Sequence, residues 1–345
     1  MRLFGQAHDR RSLLRRLPHP QSACGVRLVT LGDRPERGVR LLQFRTGGGL
    51  DFAVTVDRCM DIGEVSFRGV PLGWQSPAGF RAPWLTDLES EGGLGLNRGF
   101  SGFWVTCGFD HYGPAATSSA VHFNSPMRDE MRHPLHGRGA MTPATLRGYG
   151  ADWVDDALLL WAEGDIRQVM MFGENLLVRR RIEAWSNSAS FTVTDTVTND
   201  GFVATPHMLL YHINAGWPLL DEGARIVSPI AETEAAAEST PIVPGPQPAN
   251  LQTVLSHRVR ADAAGRATAS LVNDRLGLSL GIDFDASVLP WMAEWRCYAE
   301  GVYALGLEPK TNRRGTRAAL DEAGELRHLA PGESVTYLTR ISVAG

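Results

Sequence analysis

Apolar and polar side chains alternate along much of this chain, which is typical of β-strands with one buried face. Phe52, Val54 and Val56 share one side of a predicted strand. Between Ser190 and Asp200, threonines alternate with phenylalanine and valine in the same way, and the chain then turns at a glycine. The threonine side of such a strand indicates a solvated sheet face.

Similar strand patterns recur through most of the chain and predict an all-β fold, a large antiparallel β-sandwich. We expect one sandwich domain over residues 1–345. A short helical segment is predicted at about 9–17, capped by Asp9 or Ser12. The stretch at about 231–250 is rich in alanine, glutamate and proline, so we expect a surface loop there.

Composition and charge exclude several classes of protein. The 345 residues include 37 glycines and 20 prolines, which favour many turns over long helices. The formal net charge is −4 at pH 7 with no concentrated basic block, so we expect no nucleic-acid partner. No apolar run approaches the roughly 20 residues of a membrane-spanning helix, and the N-terminus lacks the apolar core of a signal peptide. We therefore expect no membrane partner and a cytoplasmic location.

The cysteines argue against a disulfide framework. Cys24, Cys59, Cys107 and Cys297 lie far apart and form no C-x-x-C pair. This spacing favours reduced, buried thiols over disulfides or a zinc knuckle.

Four histidines stand in two close pairs, His133 with His136 and His207 with His212. A catalytic zinc site commonly takes histidines spaced i, i+4 on a helix or i, i+2 on a strand, and neither pair has that spacing. In a regular strand, His207 and His212 point to opposite faces. We therefore expect no metal and, in the absence of a convincing nucleotide-binding motif, no organic cofactor.

Proton transfer explains the same residues with fewer geometric requirements. Histidine titrates near neutral pH, and partial burial raises the pKa of a glutamate until it becomes a useful base. Glu308 closes an apolar run directly before Pro309, at a strand edge or end where side chains commonly face a cleft. His212 and Glu308 are therefore a candidate acid–base pair, although either residue alone is more often structural.

Three segments, in this order, resemble the galactose mutarotase, or aldose 1-epimerase, superfamily: "HPLHGR" with His136, "YHIN" with His212 and "LGLEPKTN" with Glu308. In that family the first histidine binds the sugar, the second is the general acid and the glutamate is the general base. The resemblance implies these roles here, and a supersandwich of antiparallel sheets with a sugar cleft across one sheet.

Two histidines fit the acid position of that family. His207 stands in "TPH", a context similar to the family's T-N-H segment, whereas His212 is followed closely by Asn214 and Gly216, and we favour His212. A closer similarity, to a divergent and uncharacterised branch of the superfamily, extends from about Cys24 to Ser342 and rests on "VDRCMDIGEVSFRGVPLGWQSP", "GFWVTCGFDHYG", "PLHGRGAMTPA" and "LLYHINAGWPLLDEGARI". The chain lacks the arginine segment of the well-studied mutarotases. Arg58 with Asp61, or Arg138, are the candidates to replace that arginine.

Sugar binding uses charged and amide groups that grip neighbouring hydroxyls, and aromatic faces that stack on C–H groups. The polar candidates are His136, Arg58, Asp61, His111, Arg138, His207, Asn214, Asp221 and Lys310. The aromatic candidates are Trp74, Trp104 and Trp217, for each of which core packing is the commoner role. A structural ion pair between Arg58 and Asp61 is an equal alternative, and arginine near the cleft admits an anionic sugar.

Together with these residues, the resemblance implies an aldose 1-epimerase-like isomerase that interconverts sugar anomers by acid–base ring opening. The substrate is a monosaccharide or a modified sugar. Lyase or isomerase chemistry on a keto or acidic sugar is one alternative, and a non-catalytic carbohydrate-binding module is another. Whether the chain is a monomer or a homodimer stays open.

Overall fold

The structure is a computed structural model that describes residues 1–121, 123, 129–233, 240–248 and 252–345. Nearly all of its regular structure is antiparallel β-strand arranged in two large sheets. The predicted all-β antiparallel sandwich is therefore confirmed.

The elements of the first half of the chain are β1 (Arg2–Leu3), β2 (Gln6–Ala7), α1 (Arg10–Leu14), β3 (Gly25–Thr30), β4 (Arg40–Arg45), β5 (Leu50–Thr55), β6 (Asp61–Phe67), β7 (Val70–Pro71), α2 (Ser90–Gly93), β8 (Trp104–Phe109), β9 (Ala116–Ser119), β10 (Glu130–His133), β11 (Thr145–Val154) and β12 (Ala157–Val169). The elements of the second half are β13 (Asn175–Trp185), β14 (Ser190–Asn199), β15 (Thr205–Ala215), β16 (Arg225–Val227), β17 (Ile230–Thr233), β18 (Gln252–Val259), β19 (Arg266–Asn273), β20 (Leu278–Asp285), β21 (Trp291–Cys297), β22 (Ala304–Lys310), α3 (Arg317–Glu322), β23 (Arg327–Leu329) and β24 (Ser334–Ala344).

The larger sheet has the strand order β17-β18-β21-β22-β15-β8-β6-β5-β4-β3, with β23 beside β15 and β7 beside β6. The second sheet has the order β11-β12-β13-β14-β24-β20-β19-β16. Side chains from the inward faces of both sheets form one hydrophobic core. The rings of Phe44, Phe52 and Phe191, from β4, β5 and β14, stack with centroid distances of 4.5 and 4.4 Å and join the two sheets.

Burial along the strands follows the alternation of the sequence. In β14 the apolar residues lie inward, and the threonines that alternate with them are half-buried on the other face. Strand β15 differs because every one of its residues is buried. One face of β15 lies in the sandwich core, and the other forms the floor of a site that loops partly cover.

A buried charged network crosses the core and accounts for Asp61. The guanidinium of Arg180 on β13 donates to Asp195 at 2.6 and 2.8 Å and to Asp61 Oδ1 at 2.9 Å. Thr106 donates to the same Asp61 carboxylate from its backbone N–H and its hydroxyl, and Tyr211 donates to Asp195. Asp61 therefore links the two sheets, and its carboxylate is committed to the core instead of the predicted sugar cleft.

Helix α1 lies within the predicted helical segment, and Asp9 Oδ1 accepts a hydrogen bond from Ser12 N–H at its start. The first residues of the predicted loop 231–250 instead continue strand β17, while 234–239 and 249–250 lie outside the described residues. All four cysteines are buried and free. In the parts of the chain that the structure covers, no helix has the length and apolarity needed to cross a membrane.

Candidate functional site

His212 and Glu308 come together because their strands are neighbours in the larger sheet. The pairs Leu210–Lys310 and Ile213–Leu307 set the register of β15 and β22, and that register puts His212 directly opposite Glu308. Even-numbered residues of β15 face away from the core, so both side chains point to the outer face of the sheet. His212 Nε2 and Glu308 Oε1 lie 3.1 Å apart, and within the described residues Oε1 has no partner in hydrogen-bond geometry.

Asn214 holds the second nitrogen of the His212 ring. Its Oδ1 lies 2.6 Å from His212 Nδ1. Its amide nitrogen donates to the backbone carbonyls of Gly102 and His212 at 2.9 and 3.2 Å. A carbonyl oxygen can only accept, so these two contacts require the NH2 group of Asn214 on that side and its Oδ1 on the side of His212. Asn214 is fully buried and therefore acts as a fixed support beneath the ring.

Three aromatic side chains surround His212. Phe100 and Trp295 lie edge-on to its ring with centroid distances of 4.8 and 5.2 Å. Trp74 contacts both of them, at 5.9 Å from Phe100 and 6.0 Å from Trp295. Such rings supply the apolar wall on which the C–H face of a sugar stacks. His212 and Glu308 therefore stand on the floor of an aromatic enclosure.

Glycines make room for these rings. Gly306 pairs with Asn214 on one side and with Trp295 on the other. A Cβ at Gly306 would lie 2.6 Å from Glu308 Oε1 and 2.9 Å from the His212 ring. A Cβ at Gly216 would similarly lie 2.8 Å from the Trp74 backbone. The close approach of the catalytic candidates and the wall therefore depends on the absence of these side chains.

Arg58 positions the Phe100 wall. Its guanidinium is buried and donates to the backbone carbonyls of Gly79, Gly99 and Ser101, at 3.2, 2.5 and 3.4 Å. Burial lowers the pKa of Arg58 to about 10, and the carboxylates nearby oppose that effect. The predicted sugar contact is not made, because the donors of Arg58 serve the protein backbone on both sides of Phe100.

His136 approaches His212 from a loop, with a ring-centroid distance of 5.6 Å. Its backbone is in the left-handed region, at φ 59°, and the next residue, Gly137, also has a positive φ. A Cβ at Gly137 would overlap the backbone oxygen of His111, so the L-H-G motif needs its glycine for close packing. Among the described groups, none hydrogen-bonds the buried Nδ1 of His136.

Lys310 lies two residues beyond Glu308 and on the same face of β22. It is 4% exposed, and its Nζ donates to Ser256 Oγ at 2.9 Å. Lys310 thus places an ammonium group on the same strand face as Glu308, with Ser256 of β18 as one hydrogen-bond partner.

Burial dominates the ionisation of the site. It raises the pKa of Glu308 from 4.5 to about 8, and the nearby charge of Lys310 only partly offsets this effect. Burial lowers the pKa of His212 to about 4, opposed by the hydrogen bond to Asn214. For His136, burial and the neighbouring His212 lower the pKa to about 3. Near neutral pH, the site therefore holds a protonated carboxyl and two neutral imidazoles.

His207 occupies the opposite face of β15 and belongs to the core. Its Nδ1 lies 2.7 Å from the backbone oxygen of Phe109, and its Nε2 lies 2.7 Å from the hydroxyl of Tyr337 on β24 of the other sheet. Both ring nitrogens are therefore used within the protein. This placement does not support the predicted sugar contact of His207 and leaves His212 as the histidine that β15 contributes to the site.

The other polar candidates lie in protein contacts away from His212. His111 Nε2 bonds the Pro114 carbonyl, and its ring stacks near His133. Arg138 donates to Glu89 and to a backbone carbonyl, and Asp221 pairs with Arg275. Of the three tryptophans predicted as sugar contacts, Trp74 lines the site, Trp104 is fully buried in the core, and Trp217 is 67% exposed.

Sequence reasoning missed Phe100 and Trp295. Phe100 follows a glycine-rich stretch that predicts only a loop, and Trp295 lies in a strand pattern beside a buried Glu294. The alternation of side chains along β21 could have identified Trp295. It places Trp295 on the same face as Ala293, which pairs with Glu308.

His212 and Glu308 are placed so that one could donate a proton to a small ligand while the other accepts a proton from it. Over the residues that the structure describes, no group of three or more histidine, cysteine, aspartate or glutamate side chains is placed to hold a metal ion.

Comparison with known families and structures identifies a family and a shared fold. The sequence matches the family described as "Domain of unknown function (DUF4432)" over residues 36–343. The chain belongs to this family. No curated protein matches the DUF4432 chain significantly in sequence.

Solved structures share the fold of this DUF4432 protein. A "putative aldose 1-epimerase" from Klebsiella pneumoniae is 24% identical with a TM-score of 0.83, covering 92% of this chain and 83% of that chain. A galactose mutarotase-like protein from Clostridium acetobutylicum is 13% identical with a TM-score of 0.65, covering 94% and 99%. A galactose 1-epimerase from Lactobacillus acidophilus is 12% identical with a TM-score of 0.58, covering 92% and 98%. These likenesses confirm the predicted galactose mutarotase-like fold and a divergent branch.

Proposed function

We propose that this DUF4432 protein is an aldose 1-epimerase-like mutarotase, which interconverts the anomers of a monosaccharide or modified sugar. One observation carries the proposal: His212 and Glu308 lie 3.1 Å apart on the floor of an enclosure walled by Trp74, Phe100 and Trp295. Two groups that exchange a proton, beside apolar rings, match the chemistry of a cyclic hemiacetal. The fold shared with proteins of that description supports the same function.

The reaction needs one base and one acid. One member of the pair takes the proton of the anomeric hydroxyl while the other protonates the ring oxygen. The bond between C1 and the ring oxygen breaks, and the free aldehyde forms. After rotation about the C1–C2 bond, the same groups act in the opposite directions and close the ring as the other anomer. Each positioned proton-transfer group contributes a factor on the order of 10²–10⁴.

His136 and Lys310 are the polar groups best placed to hold the sugar. The unpaired Nδ1 of His136 is available for a hydroxyl, since no described group bonds it. Lys310 brings a positive charge to the same face as Glu308, which favours an electron-rich or anionic substituent on the sugar. An acidic or phosphorylated aldose therefore belongs in the substrate panel beside neutral aldoses.

Mutarotation assays test the proposal. Freshly dissolved single anomers of neutral and anionic aldoses are followed by polarimetry or by NMR exchange, with and without the protein. We expect acceleration for at least one sugar, and His212→Gln should reduce the rate to that of buffer. His207→Gln is the matched control, because it changes the same residue type on the same strand but on the core face.

Other outcomes would assign other functions. Saturable sugar binding with no acceleration for any sugar in the panel would contradict the mutarotase and support a carbohydrate-binding module. Loss of roughly one water mass, 18 daltons, from a keto or acidic sugar would instead support lyase chemistry by the same base.

A further inference from the structure

We propose that a polar trough on the outer face of the larger sheet binds the non-reducing residues of a neutral oligosaccharide, whose reducing end lies at His212 and Glu308. The trough is a depression of about 220 Å³ over strands β3 to β6. The polar side chains that line it include those of Arg27, Gln43, Arg45, Asp51, Glu64 and Ser66. The position of the reducing end rests on the proposed function, whereas a carbohydrate site in the trough does not.

Strand register gathers these side chains into two rows across β3, β4, β5 and β6. One row is Arg27, Gln43, Ala53 and Glu64, and the other is Gly25, Arg45, Asp51 and Ser66. Their neighbours along each strand lie in the core, so both rows project from the outer face. Ala53 has the short side chain that leaves room between longer ones. At one end, Gln21 lines the trough and packs against Gly25, where a Cβ would lie 2.8 Å from Gln21 Cγ.

Opposite charges in the trough face each other without pairing. Arg45 on β4 is directly opposite Asp51 on β5, an arrangement in which opposite charges commonly pair. Within the described residues, however, the two side chains form no ion pair with each other. Partial burial raises the pKa of Asp51, and the charge of Arg45 opposes this effect. The side chains of Arg27 and Gln43 also have no hydrogen-bond partner in the described part of the chain. These groups are therefore available to a ligand.

The balance of charge in the trough indicates the class of ligand. Arg27 and Arg45 contribute positive charge, and Asp51 and Glu64 contribute an equal negative charge. An anionic ligand would be repelled by the carboxylates, and a cationic ligand by the guanidinium groups. A neutral carbohydrate avoids both repulsions. Its neighbouring hydroxyls donate and accept, and they match guanidinium, carboxylate and amide groups that can each form two hydrogen bonds.

The trough adjoins the candidate functional site through two consecutive residues. Gln75 Nε2 donates to Glu64 Oε1 of the trough at 3.1 Å. The backbone N–H of Trp74, whose ring lines the site, donates to the Asn214 carbonyl of β15 at 2.9 Å. The segment that carries both residues therefore lies between β6 and β15. Two strand spacings put the backbone of Glu64 about 10 Å from that of Asn214. This distance exceeds one sugar ring and is within the length of a short oligosaccharide.

Binding measurements on the whole protein test the trough. Titration calorimetry compares maltose and cellobiose with glucose, galactobiose with galactose, and xylobiose with xylose. At least one disaccharide should bind about tenfold more tightly than its monosaccharide, which corresponds to one or two additional hydrogen bonds. Saturation-transfer NMR of that disaccharide should show both rings in contact with the protein. Equal affinities throughout the panel, or contact with the reducing ring alone, would overturn the proposal.

Two substitutions locate the preference for the disaccharide. The measured quantity is the ratio of disaccharide affinity to monosaccharide affinity. Gln43→Ala removes an exposed amide and should lower this ratio by about threefold to tenfold. Ala53→Leu fills the floor of the trough and should bring the ratio close to one. Gln6→Ala, at an exposed position of β2, is the matched control and should leave the ratio unchanged. A ratio that neither trough substitution changes would refute binding in the trough.

Mutarotation assays on the same sugars separate this inference from the proposed function. Disaccharide preference that depends on Gln43 and Ala53, without acceleration of mutarotation for any sugar, would refute the mutarotase and support the trough as a carbohydrate site. Accelerated mutarotation of a monosaccharide with no preference for any disaccharide would refute the trough and support the mutarotase. The two failures therefore give different results.

Discussion

Replacing Glu308 by glutamine should stabilise the folded protein, and the gain should grow as the pH rises. The native carboxyl keeps its proton until about pH 8, whereas the unfolded chain loses it near 4.5. Between these values unfolding releases a proton, so the stability of the wild type is fully present below pH 4.5 and falls as the pH rises toward 8. Glutamine does not titrate and therefore avoids this loss.

The magnitude follows from the pKa of Glu308 in the two states. Each pH unit above the unfolded pKa and below the folded pKa lowers the free energy of unfolding of the wild type by about 1.36 kcal/mol. At pH 7 the free energy of unfolding of Glu308→Gln should therefore exceed that of the wild type by about 3 kcal/mol. Above pH 8 both states are ionised, and the difference levels off at about 5 kcal/mol. Below pH 4.5 both states are protonated, and the difference should vanish.

Urea unfolding at pH 5, 6, 7 and 8 measures this dependence for the wild type and Glu308→Gln. The buried histidines titrate in both proteins, so their contribution cancels in the difference. Glu322→Gln, at an exposed position of α3, is the matched control and should show no growth of the difference with pH. A stability difference for Glu308→Gln that is independent of pH would refute the raised carboxyl pKa, and with it a neutral acid–base pair.

Three further substitutions separate the parts of the site. Gly306→Ala should lower kcat/KM by about 100-fold, because its Cβ would displace Glu308 from a contact of 2.6 Å, while circular dichroism stays that of the wild type. Arg58→Met should raise KM about tenfold with a smaller change in kcat, because it releases the backbone that positions Phe100; unchanged sugar saturation curves would contradict this role. His207→Gln should lower the free energy of unfolding by about 1–3 kcal/mol in denaturant titrations, yet keep mutarotation within a few-fold of the wild type.

The local pattern predicted the sheet faces well, for a physical reason. Side chains in a strand alternate with period two, so the sequence places His207 and His212 on opposite faces before any tertiary structure is known. The same rule places Glu308 and Lys310 together on one face. These assignments need only a strand, and the strand signals were clear.

The wall of the site was harder to predict because it depends on sheet order. Trp295 reaches His212 only because β21 lies beside β22 and Gly306 separates their side chains. Phe100 is positioned by Arg58 from a remote part of the chain. Neither relation has a signature within one segment of the sequence.

Buried charges misled the sequence interpretation in one particular way. Arg58 and Asp61 stand close together in an apolar context, which indicates either a cleft or a buried network. Asp61 pairs with Arg180, more than a hundred residues further on and in the opposite sheet. Because such a partner is visible only once the two sheets are packed, the choice between ligand contact and core network required the structure.

The two histidines of β15 show which property identifies the reactive group. Both are buried, and burial lowers the pKa of each to about 4. A perturbed pKa therefore does not distinguish them. Their hydrogen bonds do, because His207 commits both nitrogens to Phe109 and Tyr337, whereas His212 commits Nδ1 to Asn214 and its Nε2 lies 3.1 Å from Glu308 Oε1 without a hydrogen bond to it. The nitrogen left for chemistry, and not the shift in acidity, is what makes one histidine of this strand a candidate catalyst and the other part of the core.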